Sequence, residues 1–110
     1  MKINKELMKG STVILILTLL EHKDMYGYEM TKEMETNSGG IFTLKEGTLY
    51  PILHALEADK LVESYWSDHE KRKRKYYRIT TEGRAQLEEK KQEWFIFRGA
   101  VDRLIGEGHA

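Results

Sequence analysis

The chain has 110 residues, enough for one domain with a modest core, and its 33% charged and 40% apolar residues match an ordinary soluble protein. Lys plus Arg equals Asp plus Glu at 18 each, so a net charge of zero singles out no class of partner, and only the distribution of charge can. The absence of cysteine excludes disulfides and thiolate metal sites and suits a reducing cytosol.

From Lys5 to about His22, the residues Leu7, Met8, Val13, Ile14, Leu17 and Leu20 form a helical stripe. Ile16 and Leu19 widen it until almost no polar face remains, so a partner subunit is expected to supply part of its cover. The apolar run Val13 to Leu20 is too short to span a bilayer and lacks the cleavage site of a signal peptide, so a cytoplasmic protein with no membrane partner is expected. Tyr26-Gly27-Tyr28-Glu29-Met30 starts a second helix that runs to about Glu35 and ends in the turn formers Asn37-Ser38-Gly39-Gly40. The pattern Thr43-Leu44-Lys45-Glu46 matches a capping box for a third helix, with Leu49, Ile52, Leu53 and Leu56 as its buried stripe and Pro51 bending it. Opposite that stripe lie Gly47, Pro51, His54 and Ala58, flanked by Thr48 and Tyr50, a narrow ridge low in charge whose backbone could approach DNA closely.

Leu61 to Trp66 is rich in strand formers, Ser67-Asp68-His69-Glu70 reads as a turn, and Tyr76 to Ile79 as the return strand. Residues 71–78 carry six cations in eight positions, Lys71-Arg72-Lys73-Arg74-Lys75-Tyr76-Tyr77-Arg78. Such a run is often no more than a solvated face, but beside a groove-reading helix it suits a phosphate backbone. Thr80 is expected to cap a last helix from about Thr81 to Ile105, roughly seven turns, with a fraying tail from Gly106. Helix, helix, helix, hairpin is the order of the winged helix-turn-helix, in which the third helix enters the major groove and the hairpin wing touches the flanking backbone. The expected fold is therefore mainly α with a small β-hairpin, residues 1–80 forming the DNA-binding part and 81–110 a dimerisation helix.

On the last helix Leu87, Trp94 and Val101 recur at seven, with Phe97 and Leu104 at offset three, an a/d seam expected to pair two subunits about a two-fold axis. Trp94 in that seam is either plain packing or, facing its symmetry mate across a gap, one wall of a slot for a flat apolar ligand.

The stretch Gly47-Thr48-Leu49-Tyr50-Pro51-Ile52-Leu53-His54-Ala55-Leu56-Glu57 resembles the signature of the PadR family of bacterial transcriptional regulators. So do Tyr26 to Glu29 ahead of it, the wing strand Arg74 to Thr80, and Glu82-Gly83 at the start of the last helix, a likeness running over roughly residues 8–105. The resemblance implies a homodimeric winged-helix regulator, usually a repressor, whose DNA affinity changes with a small-molecule effector. The two wings and two reading helices of such a dimer would match two half-sites of a palindromic operator on double-stranded DNA. The short chain with its single long last helix resembles the compact branch of the family, which includes sensors of planar aromatic drugs held between paired tryptophans, with Trp94 as the equivalent here. Residue by residue, Lys45, Thr48, Tyr50 and His54 of the third helix and Lys73, Arg74 and Lys75 of the wing match the DNA-contact positions, although a packing role fits the ring of Tyr50 equally well.

An enzyme is not expected: there is no Gly-rich phosphate loop, and His22, His54, His69 and His109 are too scattered to ligate a metal. Nothing in the sequence calls for a cofactor. The remaining alternative is a winged-helix interaction module whose wing binds an acidic protein.

Overall fold

The computed structural model describes residues 10–69 and 71–106. Its elements are α1 (Thr12–His22), β1 (Met25–Tyr26), α2 (Gly27–Asn37), α3 (Glu46–Ala58), β2 (Val62–His69), β3 (Arg72–Ile79) and α4 (Thr81–Ile105). The three strands form one antiparallel sheet in the order β1-β3-β2.

The helix expected from Lys5 begins, among the described residues, only at Thr12, because Gly10 and Ser11 adopt a turn. Residues 5–9, and with them Leu7 and Met8 of the stripe, lie outside the described residues. The apolar circumference of α1 is covered largely within the chain, with Ile16, Leu17, Leu19 and Leu20 buried and Val13, Ile14 and Leu15 half-buried. They meet Met30 and Met34 of α2, Leu49, Leu53 and Leu56 of α3, Val62, Tyr77 and Ile79 of the sheet, and Leu87 of α4 in a single core. Lys91 of α4 also donates to Glu21 of α1 at 3.0 Å, tying the two helices side by side.

Four local expectations are corrected. Tyr26 is strand, pairing with Tyr76, and α2 starts one residue later at Gly27. The capping box does not form: α3 starts at Glu46, Lys45 stands at its N-cap in extended conformation with no side-chain cap, and Thr43 lies in coil. The reason is tertiary, since an extended entry carries Leu44 into the core. Ser67, Asp68 and His69 are not a turn, because β2 continues through His69 and β3 begins at Arg72, paired with it. The cations at 72–75 therefore sit on a strand, where alternation sends them to two faces. The fourth concerns Leu87, which is wholly enclosed in the core of its own chain and leaves no surface for a partner's seam.

Thr80 caps α4 as expected, its Oγ1 accepting from Gly83 N at 2.9 Å. The same hydroxyl donates to the Lys60 carbonyl at 2.7 Å, and Thr80 N donates to the Leu61 carbonyl at 3.1 Å. That carbonyl lies so close over Gly83 that any Cβ there would collide with it. The corner after α3 and the first turn of α4 are thereby welded together. Gly83→Ala should lower the thermal midpoint, by about 1–3 kcal/mol of stability since the obstacle is backbone, and thermal unfolding followed by circular dichroism reads it.

Candidate nucleic-acid interface

Leu49, Leu53 and Leu56 turn α3 into the core, which leaves Lys45, Gly47, Thr48, Pro51, His54 and Ala58 in solvent. Gly47 has nothing within 4 Å of where a Cβ would stand. Pro51, inside the helix, has no N–H to give the Gly47 carbonyl, so this turn lacks one of the usual intrahelical bonds. Tyr50 differs from its neighbours: half-buried, it presses its ring and hydroxyl on Gly27, where a methyl group would collide. Burial raises its pKa above the usual phenol value. It fixes α3 against α2, with His54 beside it at 6.3 Å between rings.

The hairpin register sorts the wing. One face carries Val62, Ser64, Trp66 and Asp68 on β2 against Ile79, Tyr77, Lys75 and Lys73 on β3. At its inner end this face packs on the helices, and Ser64 donates to Glu57 of α3. At its outer end it holds Lys73 and Lys75, neither with a carboxylate partner among the described residues. The face that carries Lys73 and Lys75 is thus the face that meets α3.

The opposite face is a continuous ladder of rings and charges. Asp24, in the connection between α1 and β1, accepts from Tyr65 at 2.6 Å and from Arg78 at 3.2 Å. Arg78 lies 4.7 Å over the Tyr65 ring, Tyr65 stacks on Tyr76 at 5.8 Å, and Tyr76 meets Tyr26 edge-on at 5.5 Å. Arg74 closes the series 4.4 Å over Tyr26. The hydrogen bond to Asp24 is the main cause holding the Tyr65 phenol above its ordinary pKa, and it likewise raises that of Arg78. So the run of cations is not uniform: Arg78 is neutralised, Arg74 is stacked, and on the other side Lys73 is exposed while Lys75, half-buried, holds its Nζ 5.7 Å over the Tyr77 ring.

On α4 the exposed apolar residues are Trp94, Phe95, Ile96, Phe97, Leu104 and Ile105, with Val101 half-buried. Trp94 stacks on Phe97 at 6.1 Å. Together with Val13 and Ile14 they line an open groove of about 550 Å³ between the start of α1 and α4. Phe95 and Ile96 point away from that groove, so the helix is apolar nearly all round at 94–97.

Sequence reasoning passed over Asp24, Tyr65, Tyr26 and Tyr76. The signal is a single row of tyrosines across the sheet, Tyr26 opposite Tyr76 and Tyr76 opposite Tyr65, readable only once β1 is paired to β3.

The model of the transcriptional regulator PadR-like family matches residues 16–89. The chain is 33% identical over 105 residues to the transcriptional regulator Rv3488 of Mycobacterium tuberculosis, covering 96% of this chain and 94% of that one. Its fold superposes on a transcriptional regulator from Clostridium thermocellum with a TM-score of 0.84 at 32% identity, over 90% of this chain and 97% of the other. It also superposes on a PadR family transcription regulator from Clostridium difficile with a TM-score of 0.79 at 40% identity, over 87% and 99%.

Proposed function

Since the chain belongs to the PadR-like family of transcriptional regulators and hence of DNA-binding proteins, we propose that it works as a homodimeric repressor on a palindromic operator and is released by a planar aromatic effector. The observation that supports this most is the pairing of an exposed, nearly uncharged α3 ridge with Lys73 and Lys75, which have no carboxylate partner among the described residues, on the wing face that meets α3. In this reading Lys45, Lys73 and Lys75 bind phosphates and fix the register, while Thr48 and His54 reach base edges in the major groove. Tyr50 holds α3 in place, and Arg74 stiffens the wing.

Changing Thr48 or His54 to Ala should lower the ratio of operator to random-duplex affinity, each lost base contact costing about 1–3 kcal/mol. Gel shifts with the protein's own promoter and a scrambled duplex measure it. An equal loss on both duplexes would remove these residues as readers, and no binding to any duplex over a salt series would leave the wing to an acidic protein partner.

The dimer reading rests on the exposed apolar residues of α4, which a second copy would cover about a two-fold axis. Two copies would also bring two Trp94–Phe97 pairs, each already bordering a groove, toward one axis. A planar aromatic dye should then quench the Trp94 emission of a Trp66→Phe protein, and the quenching should vanish in the further Trp94→Ala variant while sedimentation still reports a dimer. No quenching in the parent would leave Trp94 as packing alone.

A further inference from the structure

Trp66 is the one large apolar side chain on the described wing that stays mostly uncovered, 65% exposed. Its direction follows from the register: it lies opposite Lys75, in the row beyond Ser64 and Tyr77. Up to that row the face is closed, with Val62, Ile79 and Tyr77 buried and Ser64 bonded to Glu57 of α3. Trp66 itself is left mostly uncovered by the described chain, and its indole N–H has no hydrogen-bond partner among the described residues.

A solitary surface tryptophan is unremarkable, but the surroundings of this one are selective. Lys75 stands directly across, its Nζ 5.7 Å over the Tyr77 ring, and Lys73 lies one row further out, opposite Asp68, so the indole is bordered by two cations that have no carboxylate partner among the described residues. That is a poor seat for a protein core and a good one for a surface that alternates anionic and apolar atoms at short range. The edge of a DNA duplex is such a surface, with phosphates separated by the carbon face of deoxyribose. The exposed apolar residues of α4 at 94–105 form a separate patch and give no reason for an apolar group here.

We infer that Trp66 is a DNA contact of the wing: its ring packs on deoxyribose beside the half-site, its N–H is directed to the acceptors of the minor groove, and Lys73 and Lys75 hold the phosphates on either side. The inference rests on the reading of the wing as a DNA-contacting element. It adds a contact that is apolar and therefore independent of salt, where the lysines supply only salt-dependent ones.

The test uses the full chain labelled with 5-fluorotryptophan, the Trp66 resonance being the one lost in Trp66→Phe. Adding a duplex of the protein's own promoter, or a random duplex, should shift the Trp66 resonance, and in an unlabelled Trp94→Phe protein it should protect the Trp66 fluorescence from quenching by acrylamide. Trp66→Ala should weaken binding to both duplexes about tenfold with an unchanged slope of log affinity against log salt, and Trp66→Phe should recover part of the loss. Duplex binding by gel shift with an unmoved Trp66 resonance and an undiminished Trp66→Ala affinity would overturn the contact while leaving the wing lysines their role. No duplex binding at all would overturn both.

Discussion

Leu87→Ala should lower the unfolding free energy by about 2–5 kcal/mol, the usual cost of emptying a buried leucine site, and by the same amount at every protein concentration. Leu104→Glu should do the reverse, leaving the fold of a subunit intact and shifting sedimentation toward monomer. The two residues stand on one helix and share one heptad pattern, yet Leu87 is fully enclosed in its own core while Leu104 is 87% exposed. Association stabilises by mass action, so damage confined to an interface fades as concentration rises and damage to a subunit core does not. Urea unfolding at two concentrations, with sedimentation beside it, separates the cases. A decrement for Leu87→Ala that shrinks with concentration would return that residue to the interface.

Lys73→Ala combined with Lys75→Ala should weaken binding to operator and random duplex alike and reduce the salt slope by about 0.9 for each lost phosphate contact. Arg74→Ala is expected to behave differently although it lies between them. Its guanidinium is stacked 4.4 Å over Tyr26 on the far face of the hairpin, so its loss should loosen the wing and reduce affinity while the slope stays put. Asp24→Asn, which weakens the anchor of Tyr65 and Arg78 at the other end of the same ladder, should resemble Arg74→Ala and not the lysine pair. Binding isotherms at four salt concentrations for all three variants decide it. Equal slope changes for Arg74 and the lysines would mean that the wing turns both faces to phosphate.

The elements that sequence reasoning located well are those whose determinants are local. The stripe Leu49, Leu53 and Leu56 repeats with the period of a helix and is buried as such, and Thr80 and Gly83 mark the start of α4 by a bond three residues apart. What it misplaced depends on contacts distant in sequence. Thr43 has the chemistry of a cap, but burial of Leu44 pulls the entry of α3 past it. Ser67 to His69 have the composition of a turn, but pairing with Arg72 to Arg74 keeps them extended. A heptad tells which face of α4 is apolar and not whose side chains cover it, which is why Leu87 was grouped with Leu104. For the interface, the α3 ridge and the wing cations were legible as residue types. Their division between two faces was not, because it depends on where the hairpin turns, and the anchor at Asp24 joins residues 41 and 54 positions apart.

The weld between the corner at Lys60-Leu61 and the first turn of α4 has a consequence for which operators can be bound. With Thr80 bonded to both carbonyls and the Leu61 oxygen seated over Gly83, α3 and α4 turn as one body. In a two-fold pair joined along α4, the distance and the twist between the two α3 helices are then set by the protein and not by the DNA. Inserting one base pair between half-sites turns one of them by roughly 35° about the duplex, at 10–10.5 base pairs per turn. If the protein pairs in this way, such a rigid pair would not follow that rotation, so spacer length is expected to be discriminated along with base sequence, and a flexible substitute for the Thr80–Gly83 corner would trade that discrimination for tolerance.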